Sequence, residues 1–129
     1  MVKAKKTIRP PRFNYTRISR AILGTRYELS VVSVSTVEAQ KLNKKYRKKS
    51  YVPDILAFPL SATEGEIVLN DEAIIREAKK RQVGVADYAA YIFVHGCLHL
   101  KGFDHGESMS VQEKKYIKKL RLKDISDVL

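Results

Sequence analysis

The spacing of apolar positions changes several times along the chain, and each change predicts an element. A short helix is predicted over Tyr15 to Leu23, stopped by Gly24. Glu28 to Val34, ELSVVSV, is rich in β-branched residues and predicts a strand. Ser35 followed by Glu38 is a capping box and opens a helix to about Arg47, with Val37, Leu42 and Tyr46 among its apolar positions. Asp54 to Phe58, closed by Pro59, predicts a second strand, and Glu66 to Leu69, after the turn residues around Gly65, a third. Asn70 is an N-cap, with Asp71 and Glu72 in the first turn and Lys79, Lys80 and Arg81 in the last, which suits the helix dipole. After Gly84, the stretch from Asp87 to about Leu100 is apolar nearly all round, as a helix buried inside a domain must be, and Gly102 stops it. A last helix, Ser110 to Arg121, is expected to turn Val111, Ile117 and Leu120 inward.

Strands mix with helices, and Leu42–Asn70 holds no helix long enough for a crossover between its two strands. The predicted fold is α+β: a small mixed β-sheet with helices packed on it, and a metal site on a buried helix and the following turn. One domain over 13–129 is expected, preceded by a flexible basic arm, 1–12, in which Pro10 and Pro11 are adjacent.

Composition narrows the classes. A chain of 129 residues has room for one real core. Its longest wholly apolar run, Tyr88 to Val94, is too short to span a bilayer, and no signal peptide is recognised. A single cysteine excludes an internal disulfide framework and suits a reducing cytosol. Net charge is +11, and it is unevenly placed. Residues 1–50 hold fourteen Lys/Arg against Glu28 and Glu38, giving +12; residues 51–129 hold eleven against twelve acids, giving −1. Such asymmetry suggests a polyanionic partner, nucleic acid above all, against the plainer reading of a solvated basic surface.

All three histidines lie in HGCLHLKGFDH, residues 95–105. Random placement gives this spacing about once in 3,000 trials, so the pattern is read as a metal site. His95 and His99, four apart on a helix, share one face, and the turn at Gly102 returns His105 toward the same ion. Three imidazoles around an open position is the arrangement of catalytic zinc. The spacing equals that of the metzincin motif, but Gly96 stands where those proteases carry their general base. Peptide hydrolysis by that route is not expected, and a phosphodiester fits better. Cys97, two residues from each helical histidine, is read as core. Asp104 either holds a ligand histidine or caps the turn.

HGCLHLKGFDH resembles the signature of the YbeY family of bacterial rRNA-maturation endoribonucleases, close to H-G-x-L-H-L-x-G-Y-D-H. ELSVV, LNKKYR (Leu42 to Arg47), PDILAFP (Pro53 to Pro59), GEIVL (Gly65 to Leu69), then Met109 and Glu113, follow in the family's order over roughly residues 26–120. The resemblance implies a zinc-type metal on His95, His99 and His105, Arg47 as the functional arginine, and a small α/β sandwich of sheet and helices. It further implies metal-dependent cleavage of single-stranded RNA, with roles in 16S rRNA 3′-end maturation and ribosome quality control. Partners would then be small-subunit rRNA and ribosomal proteins, in the cytoplasm and away from membranes. Pro53, Ala57, Glu66 and Phe103 depart from the family pattern, and the first two bear on substrate positioning near Asp54.

In this mechanism Arg47 would clamp phosphate with two parallel donors. Tyr46 could stack on a base, but its spacing from Leu42 favours the core. Lys44, Lys45, Lys48 and Lys49 are either RNA contacts or a solvated helix face. Glu66 is either an acid near the site or a structural residue. The rival readings are a degenerate metalloprotease and a ribosome-associated binding module with a structural metal.

Overall fold

The computed structural model describes residues 13–104 and 106–129. The expected arm, 1–12, and His105 lie outside the described residues. The elements are α1 (Tyr15–Leu23), β1 (Glu28–Val34), α2 (Thr36–Arg47), β2 (Ile55–Pro59), β3 (Glu64–Asn70), α3 (Asp71–Lys80), α4 (Val85–Lys101), α5 (Glu107–Lys119) and a closing 3₁₀ turn (Ser126–Val128). The fold is α+β.

Local chemistry explains most boundaries. Ser35 Oγ accepts the Glu38 N–H at 3.2 Å and so satisfies one orphan donor at the start of α2. Asn70 Oδ1 does the same for Ala73 at 3.3 Å. Gly102, at φ +112°, donates its N–H to His99 O at 3.0 Å and ends α4 in the left-handed conformation that favours glycine. α5 begins three residues before the predicted Ser110, because Gly106 turns the chain at φ +130° and leaves it free to enter the helix at once.

The sheet order is β1-β3-β2. β1 and β3 run parallel, from Glu28 opposite Glu64 to Val34 opposite Asn70. β2 is antiparallel to β3, with Ile55 opposite Leu69 and Pro59 opposite Gly65. As the central strand, β3 buries both faces: Ile67 and Leu69 join the main core, while Val68 joins a smaller cluster with Val34, Ala39, Leu42 and Leu56 beneath α2. α4 lies on the first face and is enclosed by α1, α3 and α5. Surrounded in this way, it can be apolar on every side, and Phe93 at its centre is fully buried against the rings of Phe13 and Tyr15. Burying a side chain of that size is worth about 1.5–3 kcal/mol.

Two residues expected inward are exposed, Tyr46 (52%) and Val111 (56%), and so is Val37 (62%), another apolar position of α2. On α2 the buried stripe is Ala39, Leu42 and Asn43; Val37 lies about 200° round the helix from Ala39, and Tyr46 stands one turn beyond the stripe, in the last turn. On α5 the inward face is set by Met109, Tyr116 and Ile117, and Val111 lies about 200° round the helix from Met109. Ile117 and Leu120 are buried as expected. Among the described residues no single helix is long and apolar enough to cross a membrane.

Candidate active-site cleft

The buried helix α4 carries two polar rings at one end. His95 and His99 present their Nε2 atoms to each other at 3.0 Å, with ring planes at 81°. Glu113 of α5 lies behind His95: its Oε2 is 2.6 Å from His95 Nδ1. A carboxylate against Nδ1 keeps the proton on that nitrogen, so the Nε2 lone pair is directed at His99 and the cleft. Two ligands of a tetrahedral zinc stand about 3.3 Å apart, and the observed separation is within a few tenths of that. The pair, with a carboxylate orienting one ring from behind, fits a metal. The described residues bring together two of the three expected ligands; His105 lies outside them.

The histidines form one wall of a cleft of about 700 Å³, which also takes in Arg47, Tyr51, Asp54, Arg76 and Asp104. Arg47 reaches it from the last turn of α2 because a buried asparagine holds it there. Asn43, fully buried, accepts from Arg47 Nη1 at 3.2 Å and donates from Nδ2 to the Tyr51 carbonyl at 2.9 Å. The Tyr51 hydroxyl accepts from the same Nη1 at 2.8 Å. Asn43 therefore fixes both the arginine and the loop that leads into β2. Across the cleft Asp54 accepts the Tyr88 hydroxyl at 2.6 Å. Burial, reinforced by that bond to Asp54, pushes the Tyr88 hydroxyl far above its usual value, so it stays a donor.

Gly96 sits where α4 approaches the sheet. A Cβ there would stand 2.9 Å from Ile55 Cδ1 and 3.4 Å from Ile67 Cδ1. The position that carries the base in metzincins is thus also constrained by helix-to-sheet packing. Cys97 is fully buried, and burial pushes its thiol well up, which agrees with its reading as core. Glu66 is buried on the opposite side of β3 from Ile67 and the helix α4, and it is not among the residues that line the cleft. Asp104 is exposed and lines the cleft, while the carboxylate held against His95 is that of Glu113. Sequence reasoning gave Glu113 and Asn43 no role; their only signal was membership of the segments shared with the YbeY pattern.

Fold and cleft together define a small α+β protein with paired histidines and an anchored arginine facing one cavity. The chain belongs to the YbeY family: the model described as "Endoribonuclease YbeY" matches residues 11–125. It is 32% identical over 123 residues to the endoribonuclease YbeY of Thiobacillus denitrificans, covering 88% of this chain and 84% of that one. It is 32% identical over 99 residues to that of Idiomarina loihiensis, covering 71% and 61%, and 38% identical over 92 residues to that of Mycoplasma mycoides, covering 63% and 56%. The chain thus spans about three fifths of the length of several of the curated relatives it matches. The solution structure of TM1509 from Thermotoga maritima is similar with a TM-score of 0.60 and 25% identity, covering 83% of this chain and 79% of that one.

Proposed function

We propose that this protein is a metal-dependent endoribonuclease that cleaves single-stranded RNA by hydrolysis of a phosphodiester. The observation that carries the reading is the meeting of the His95 and His99 Nε2 atoms in the cleft that Arg47 also lines. His95, His99 and His105 would hold the ion, with zinc the expected metal. When bound, it supplies an acidified water and neutralises phosphate charge. Glu113 holds the His95 tautomer that offers a lone pair to the cleft. Arg47, anchored by Asn43 and Tyr51, keeps a guanidinium edge for a phosphate oxygen pair. The basic first half of the chain draws in a polyanion, and binding is expected to weaken steeply with salt.

Family membership supports finer assignments: maturation of the 16S rRNA 3′ end, ribosome quality control, contacts with ribosomal proteins, and work in the cytoplasm. The test is cleavage of a structured RNA with single-stranded ends by purified protein. His99→Ala is expected to lose metal and cleavage together, and Arg47→Ala to keep metal and fold but lose cleavage. Equal cleavage by parent and His99→Ala would refute the assignment of the chemistry to this cleft. Metal and RNA bound without cleavage would favour a binding module, and cleavage of peptides in place of RNA a protease.

A further inference from the structure

Tyr46 stands where helical spacing argued for the core, yet 52% of it is exposed. The buried stripe of α2 is Ala39, Leu42 and Asn43, and the ring stands one turn beyond it, in the last turn of the helix. It is nonetheless held: its ring packs edge to face on Phe58, with centroids 5.5 Å apart and planes at 67°. Its neighbours are cationic. Lys45 Nζ lies 5.2 Å from the ring centre, and Lys44, Lys48 and Lys49 are exposed beside it. Neither Tyr46 nor Phe58 lines the cleft, but the residue that follows each of them in the chain, Arg47 and Pro59, does. A fixed, half-open aromatic among lysines, beside a phosphate-binding arginine, has the components of a stacking platform for a single strand.

We propose that Tyr46 forms a base-stacking subsite for single-stranded RNA outside the histidine cleft, with Lys45 and its neighbouring lysines holding the flanking phosphates. The subsite rests on the reading of this chain as a nuclease of single-stranded RNA. A nucleotide next to the scissile one places its base on the exposed side of Tyr46, and Lys45 moves from the ring to the backbone. Duplex RNA, with its bases already stacked on each other, gains nothing from the platform.

The test measures binding of full-length parent, Tyr46→Ala and Tyr46→Phe to two labelled probes by fluorescence anisotropy. One probe is a short single-stranded RNA with an uncleavable backbone; the other has the same backbone and length without bases. Tyr46→Ala is expected to lose about five- to 150-fold on the base-bearing strand, the span for one stacked base, and nothing on the abasic strand. Tyr46→Phe keeps parental binding. Parental affinity in Tyr46→Ala, an equal loss on both probes, or no binding by the parent would each overturn the subsite. Cleavage is scored separately. A parent that binds with the expected base dependence but never cuts RNA would sink the nuclease reading and leave the stacking subsite standing.

Discussion

Glu113 offers the sharpest test of the cleft, because it acts on a would-be ligand without being one. Its Oε2 is 2.6 Å from His95 Nδ1, and the two side chains are only 13% and 25% exposed. A charged hydrogen bond with this little solvent around it is worth about 1.5–3 kcal/mol. Its contribution to metal binding comes from fixing the ring and raising the basicity of the opposite nitrogen. Loss of such an orienting partner costs about 10–100-fold in affinity, or about 1.4–2.8 kcal/mol. Glu113→Ala is therefore expected to weaken zinc binding by one to two decades in a competition titration against a chelator of known affinity. Glu113→Gln keeps an acceptor oxygen without the charge and should fall between parent and alanine variant. Excess zinc should restore RNA cleavage in both, and a thermal melt checks that the helices remain packed. An alanine variant with parental zinc affinity would refute the orienting role. A variant that binds zinc normally at saturation but stays inactive would place Glu113 in the chemistry instead.

Three further outcomes follow from the packing. The Asp71 carboxyl is buried at the start of α3, with Oδ1 bonded to Ser33 at 3.2 Å and Oδ2 without a partner among the described residues, and burial pushes its pKa up from 3.8 to about 6. The folded value lies above the unfolded one, so stability falls as pH rises from about 4 to 6; Asp71→Asn should gain up to about 3 kcal/mol at pH 8 and little at pH 4 in urea titrations, and a loss at both would refute this. Gly96→Ala should cost about 1–2 kcal/mol through the 2.9 Å contact with Ile55 Cδ1, and less when Ile55→Val removes that atom; additive effects in a double-mutant cycle would contradict the packing account. Tyr51→Phe deletes one acceptor of Arg47 Nη1, so cleavage should fall about fivefold, the worth of about 1 kcal/mol, with zinc affinity unchanged in the same titration.

Much of this was legible in the order of residues because the responsible physics is local. Capping at Ser35 and Asn70, the glycine stop at Gly102 and the all-round apolarity of α4 depend on neighbours within a turn or two, so the elements could be placed without knowing what they touch. The pairing of His95 with His99 is equally local, since helical pitch alone puts residues four apart on one face. What touches what across elements was decided only by the fold. Glu113 meets His95 because α5 folds back along α4, and Asn43, which has Arg47 one turn on in its own helix, gains the Tyr51 carbonyl because the chain after α2 turns back beside it. Tyr46 satisfies helical spacing for a core position, being three and four residues on from the buried Asn43 and Leu42, yet it stands in the last turn of α2 and meets only the ring of Phe58 at its side, so it stays half outside. Periodicity marks which faces of a helix could be buried; how much partner surface arrives to bury them is a property of the whole chain.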